Sequence, residues 1–358
     1  MRIHFIDNIR WICILTLIPY HTFMIYNSFG EAFYIEGPSV WVTSAFIATL
    51  SPWFMPLLFA IAGMSSYYAL QKRTPSIYMK ERVSKLMIPL VSGVLLVVPA
   101  QTYIAERFHN GFTGSYLYQY ILFFTAPTDL SGTRGGFTPA HLWFLLYLFV
   151  ISVLALPLIL TCKKVKITYI TDKITMPLLL PLFIIPFVMT PILDIGGHSL
   201  GKYFAYFILG YLLLTKSLLL EKLDKFRTPL LITTIICIFS NLFLVYFYVN
   251  NRLGAPMFYF EMFHALYGWL AVLTVLGLGR RHLDFRNKVT NYLSASSFPV
   301  YIFHQSWIII VAYFIFALTD YVLTQMVLIV SISFVLTYVT YEICKRIPGI
   351  RFLFGIKA

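Results

Sequence analysis

Asp7-Asn-Ile-Arg10, followed at once by Trp11-Ile-Cys-Ile-Leu-Thr-Leu-Ile-Pro-Tyr-His21, opens the first long apolar run of the chain. Such a run predicts a membrane-crossing helix. At about 1.5 Å per residue, the eleven steps from Arg10 would lift His21 roughly 16 Å, about half the thickness of a hydrocarbon core. An ionisable ring is costly among lipid tails, so it should face a bundle interior or a wet cavity, and by default it is a candidate for function. A neutral histidine bonding a neighbouring helix would be a structural tie instead. Asp7 and Arg10, at i and i+3 on the first turn, predict an interfacial ion pair with the acid at the positive end of the helix dipole.

The rest of the chain repeats the apolar pattern. With 59% hydrophobic and 11% charged residues and a mean hydropathy of +0.80, it cannot be an ordinary soluble domain. The expectation is an all-α polytopic membrane bundle of about ten transmembrane helices, near residues 9–26, 46–70, 86–104, 142–160, 175–193, 202–215, 229–249, 259–279, 298–318 and 322–343, the sixth being the shortest. Sorting the connections alternately puts 23 of the 27 basic residues on one side, from Arg2 to Lys357 and including Lys166 and Lys173. Only Arg107, Arg134, Lys202 and Arg252 fall on the other. The 14 acids split evenly, so the sides carry +16 and −3. The positive-inside rule then makes both termini cytoplasmic.

The net charge of +13 is therefore mostly topology, with attraction to anionic lipid heads or an anionic cytoplasmic substrate, and no nucleic acid is needed to explain it. Cys13, Cys162, Cys237 and Cys344 form no CxxC and no external pair, so neither a disulfide nor a thiol metal site is expected. The first apolar run lacks a small-residue cleavage site and reads as a true span, not a removable signal peptide. Nothing resembles a linker or a soluble domain, and residues 1–358 read as one integral-membrane domain.

Several stretches carry chemistry. Ser51-Pro-Trp-Phe-Met-Pro56 interrupts the second span, and prolines there free backbone carbonyls, which are tolerable only in protein or beside water. Lys80-Glu-Arg82-Val-Ser-Lys85 sets two cations one turn apart at the mouth of the third span. They form either a positive flank or, with Arg10, a clamp for the phosphates of a nucleotide-bearing donor. The loop 105–140, rich in Gly, Thr and aromatics, is long enough to be functional. It ends in His141-Leu-Trp143, an imidazole and an aromatic platform suited to a sugar, although Trp143 alone fits an interfacial belt.

Further along, Asp194 and His198 occupy an outer turn. Glu261 and His264 form a single ExxH step, better read as a local hydrogen bond than as a metal site, and no metal is expected. The ninth span holds Pro299-Val-Tyr301-Ile-Phe-His304-Gln305, which adds a second intramembrane imidazole, His304.

Taken together, Asp7-x-x-Arg10 with His21, Arg82-x-x-Lys85 before Pro89, His141-Leu-Trp-Phe-Leu145, Gly268-Trp269 to Gly279-Arg-Arg281 and Pro299 to Gln305 resemble the acyltransferase-3 superfamily, over nearly the whole chain. They look most like its periplasmic-glucan branch, whose members succinylate osmoregulated glucans. The resemblance implies acyl transfer from cytoplasmic acyl-CoA, a co-substrate and not a bound cofactor, to a hydroxyl of an outer-face glycan, in the bacterial inner membrane. It implies His21 as the catalytic residue and Arg82 and Lys85 as donor-binding residues. Lys85 stands where the family commonly has Arg. Leu148 and Phe149 stand where the lipopolysaccharide O-acetylating branch has Glu, so that branch's acceptor is not carried over.

The chemistry fits independently. A sugar hydroxyl is a poor nucleophile and needs a base with pKa near 7 as it attacks a thioester, and histidine fills that role. His21 is the candidate base, with an acyl-histidine intermediate as a variant. His304, Tyr301 or a backbone amide near the second-span prolines would serve the oxyanion. The rival is a transporter of an anionic or lipid-linked sugar, with His21 and His304 as a proton relay.

Overall fold

The computed structural model describes residues 4–164, 175–249 and 257–356. Arg2, Lys166, Lys173, Arg252 and Lys357, used in the charge sorting, lie outside the described residues. The chain is 78% helical, which bears out the all-α expectation. The elements are α1 (His4–Met24), α2 (Trp41–Leu50), α3 (Phe54–Leu70), α4 (Pro75–Arg82), a π-helical turn (Val83–Met87), α5 (Ile88–Leu96), α6 (Val98–Asn110), α7 (Tyr116–Thr125) and α8 (Trp143–Lys164). They continue with α9 (Met176–Met189), α10 (Leu200–Leu212), α11 (Ser217–Lys225), α12 (Arg227–Val249), α13 (Met257–His282), α14 (Lys288–Phe316), α15 (Val322–Arg346) and α16 (Pro348–Leu353).

Seven helical stretches among the described residues are long and apolar enough to cross a membrane, or eight if the bent pair α10 and α11 is one span. The expected ten thus includes three weaker members. The 202–215 segment turns through 103° between α10 and α11, and 175–193 is the shorter α9. The 9–26 segment is α1, which is diluted by Asp7, Asn8, Arg10 and His21.

The chain forms two compact units. The first comprises residues 1–10, 48–82 and 147–287, the second 11–47, 83–146 and 288–358. In the first, α3 and α10 cross so closely that a Cβ on Gly63 would lie 2.0 Å from the Phe207 carbonyl oxygen. One on Gly210 would lie 2.1 Å from that of Ala60. Small residues at a crossing let backbones meet, which is how helices associate without a hydrophobic driving force.

The break between α2 and α3 follows from Pro52, which has no N–H for the Ala48 carbonyl. Buried Asn241 supplies one instead, its Nδ2 donating to that oxygen at 2.9 Å, while Tyr267 Oη donates to the Thr49 carbonyl at 2.6 Å. The prolines therefore free carbonyls, as expected of residues that lack an N–H, and side chains bond them. Gly268 leaves room for the Pro52 carbonyl, and the Trp269 indole donates to the Leu179 oxygen at 2.9 Å. Asp194 and His198 fall in a short antiparallel pair, Asp194–Ile195 with His198–Ser199, turned by Gly196 and Gly197, both at positive φ. The expected Glu261–His264 hydrogen bond is not formed: the His264 ring packs on Phe260 at 4.3 Å and its Nε2 has no partner.

In the second unit, Ile18, Ile25, Tyr26, Ile104, Ile308, Ile315 and Ile329 form a continuous buried core.

The α3–α10 crossing is testable. Gly63→Val should lower the melting temperature of the purified protein, with an overpacking cost of about 1–3 kcal/mol. Gly349→Ala, with open space around its position, should leave it unchanged. Equal melting temperatures for both variants would rule out the close crossing.

Candidate active site

Eight consecutive residues of α14, Pro299 to Ser306, are buried. A helix buried all round must match each polar side chain it carries, or bear the cost of leaving one bare. Gln305 Nε2 donates to Gln101 Oε1 at 3.0 Å, and Ser306 Oγ donates to the Val97 carbonyl at 3.1 Å, at the break between α5 and α6. Gln101 Nε2 donates in turn to Ser306 Oγ at 2.7 Å. The Tyr301 hydroxyl donates to the His141 carbonyl.

His304 makes one bond and leaves one nitrogen. Its Nδ1 lies 2.7 Å from the Tyr301 carbonyl. A carbonyl only accepts, so Nδ1 carries the hydrogen and Nε2 the lone pair. That Nε2 is buried without a partner. His21 stands beside it, the ring centroids 5.2 Å apart, and its Nδ1 is likewise buried and unpartnered. The near-parallel Phe33 ring at 6.2 Å and the edge of Tyr20 at 5.4 Å enclose the His21 imidazole. Phe33 is fixed through its carbonyl, 2.9 Å from His109 Nε2.

His141 completes the group, 5.1 Å from His304 between ring centroids. Its Nε2 lies 3.0 Å from the Ile302 carbonyl and must donate, so Nδ1 is the accepting nitrogen, faced by Gln101 Nε2 at 3.5 Å. The turn that aims it is strained, because Ala140 holds φ at +47°. Thr138 braces that turn, accepting from the Ala140 N–H at 2.9 Å and donating to the Leu130 carbonyl at 2.7 Å. Trp143 opens α8, half-buried, two residues beyond His141. In the same loop, hydrogen bonds from the Ser131 hydroxyl and N–H hold the Asp129 carboxyl below its ordinary pKa. Among the described residues, no three of His, Cys, Asp and Glu are grouped to hold a metal ion.

His21, His141, Tyr301 and His304 are thus gathered within the second unit. Gln101, Gln305 and Ser306 belong with them; Gln305 closes a stretch that the sequence reading quotes, whereas Gln101 and Ser306 are not singled out by it. The available signal is that Gln101 is an amide inside an otherwise apolar span.

The cationic candidates have other surroundings. Arg10 pairs with Asp7 at 3.1 Å and donates to Ser65 Oγ at 2.8 Å. Arg82 donates to Ser66 Oγ at 2.6 Å and lies 4.8 Å over the Tyr78 ring. Lys85 is exposed in the π-helical turn, which replaces the plain α-helical step expected from Arg82. Such turns recur at functional sites.

Known proteins resemble the chain over its whole length. A glucans biosynthesis protein C from Shigella dysenteriae serotype 1 (strain Sd197) is 28% identical over 389 residues, covering 99% of this chain and 95% of that protein. Proteins of the same name from Escherichia coli O81 (strain ED1a) and Salmonella paratyphi B (strain ATCC BAA-1250 / SPB7) are 27% and 26% identical, with the same coverage. No solved structure matches. Residues 3–342 match the acyltransferase-3 family, an acyltransferase domain. With several apolar helices of spanning length besides, the chain belongs to that family and is an integral-membrane acyltransferase.

Proposed function

We propose that the protein moves an acyl group, succinyl or acetyl, from cytoplasmic acyl-CoA to a hydroxyl of an extracytoplasmic glucan or other cell-surface polysaccharide. The relatives' name supports the glucan. The observation that carries the reading is the pair of imidazoles, His21 and His304, each with a buried unpartnered nitrogen. The whole chain acts as one domain of the bacterial inner membrane. Ten crossings result if α1, α9 and the bent pair all span, and the asymmetry of basic residues then favours cytoplasmic termini.

In this mechanism His21 takes the proton of the acceptor hydroxyl as its oxygen attacks the thioester carbonyl. Collapse of the tetrahedral intermediate breaks the carbon–sulfur bond, and the departing thiolate recovers the proton from the imidazolium. One ester is formed and one thioester is lost. Neutral His304 presents a lone pair and not a hydrogen, because its hydrogen is held by Tyr301. Its natural part is as a second proton acceptor beside His21, and it donates to the oxyanion only after taking that proton. An acyl-histidine on His21 would use the same lone pair as a nucleophile.

His141, Trp143 and Tyr301 are assigned to the acceptor side, with the Trp143 indole as a face for a sugar ring. His141 acts through its ties to Tyr301 and Ile302 and offers no bare nitrogen. Arg82, Lys85 and Arg10 hold the donor's phosphates. Membership of an acyltransferase family leaves the transporter reading without a supporting observation.

Purified protein given labelled succinyl-CoA or acetyl-CoA and a glucan acceptor should transfer the label. His21→Ala should reduce transfer by about 10²–10⁴-fold at unchanged protein yield, with a comparable loss in His304→Ala. Retention of transfer in His21→Ala would sink the base assignment. Arg82→Ala and Lys85→Ala should each raise the KM for acyl-CoA, and the difference from wild type should shrink with added salt. A KM untouched by either change would reduce these cations to topological flanks.

A further inference from the structure

A cleft of about 310 Å³ opens in the first unit, and Arg280 and Arg281 line it. The fold builds it from three segments distant in sequence. A Cβ on Gly277 would lie 2.7 Å from the Leu223 carbonyl oxygen, so α11 approaches the last turns of α13. One on Gly279 would lie 2.5 Å from Ile9 Cδ1, so the start of α1 approaches the other side. Asn8 Nδ2 fixes that approach by donating to the carbonyls of Leu283 at 2.7 Å and Phe285 at 2.8 Å. The half-buried Tyr68 ring at the end of α3 forms a further wall.

The lining combines opposite chemistries. Arg280 is tethered to Glu221 at 3.5 Å, whereas the exposed Arg281 has no partner among the described residues. Asp224, paired with Arg227 at 3.0 Å, and Asp284, which accepts the Phe5 N–H at 3.2 Å, add acceptors. A bare phosphate would suit the guanidiniums and be repelled by the carboxylates. A group with an anion at one end and an amino-bearing aromatic ring at the other satisfies both, stacks on Tyr68, and matches an adenine nucleotide. The volume lies at the lower end of the roughly 300–1,000 Å³ of small-molecule pockets, which is room for a nucleoside-sized group and not a whole acyl-CoA.

We propose that this cleft receives the 3′-phosphoadenosine end of the acyl-CoA donor, with Arg281 on the 3′-phosphate and Asp224 or Asp284 accepting from the adenine amino group. The assignment rests on acyl-CoA being the donor. Arg82, in the same unit, is left to serve the diphosphate.

The test compares CoA with dephospho-CoA, which lacks only the 3′-phosphate, on the full-length protein in phosphatidylcholine nanodiscs. Wild type should bind CoA at least about tenfold more tightly. Arg281→Gln, a change at an exposed side chain, should bring CoA to the affinity of dephospho-CoA and leave the latter's affinity unaltered. Arg286→Gln should keep the preference, excluding a general loss of positive charge. If wild type discriminates and Arg281→Gln still does, the cleft is not the nucleotide site, although the donor stands. If CoA affinity survives Arg281→Gln while phosphatidylglycerol ceases to compete with it, the cleft is a lipid-headgroup site and the assignment is overturned. If wild type neither binds CoA nor transfers from its thioesters, the donor reading falls, and this one with it.

Discussion

The bond from His304 Nδ1 to the Tyr301 carbonyl fixes more than a side-chain position. It chooses the tautomer, and so decides which nitrogen is free to act. Tyr301 is itself tied through its hydroxyl to the His141 carbonyl, and His141 to the Ile302 carbonyl, so the bonds return to the same turn of α14. Gln101, Gln305 and Ser306 close a second circuit beside it. Beside these matched groups, His21 and His304, 5.2 Å apart between ring centroids, each keep one nitrogen without a partner. An unmatched buried nitrogen costs stability, and two side by side on neighbouring rings are what a proton transfer between an acceptor and a donor would require.

Much of this was legible in the sequence, for definite reasons. Polar residues are so rare in the apolar runs that His21, His304 and His141 announce themselves, and the Asp7–Arg10 step needs only helical spacing to become an ion pair. What stayed hidden depends on registers that local pattern does not carry. Gln101 matters because α6 sets it against Gln305 and Ser306, more than 200 positions away. The π-helical turn at Val83–Met87 alters a step that reads as ordinary α-helix. The hydropathy of α1 and the brevity of α9 show why an apolar run is a weaker statement than a crossing.

Part of the resemblance to the family turns out to be architectural. Gly268 accommodates the Pro52 carbonyl and Trp269 bonds the Leu179 carbonyl, so both serve the packing of their unit. Asn241 has the same character, since it replaces the N–H that proline removes. A kinked helix in an apolar setting is viable only if something repairs the ladder, and here the Asn241 amide and the Tyr267 hydroxyl do so. A motif can therefore mark a fold's necessities as firmly as its chemistry.

The arginines divide along similar lines. Arg227 is matched by Asp224 and Arg280 by Glu221, so in each pair the positive charge is locally cancelled. Arg82 is held by a hydroxyl and an aromatic face, which orient a guanidinium without neutralising it. Ser65 and Ser66, adjacent on α3, support Arg10 and Arg82 in turn, but Arg10 also has Asp7. A cation steered by neutral partners keeps both its charge and its spare donors, the condition for meeting a phosphate from outside the chain. By that criterion Arg82 keeps its full charge for an anion, whereas part of the charge of Arg10 is already met by Asp7.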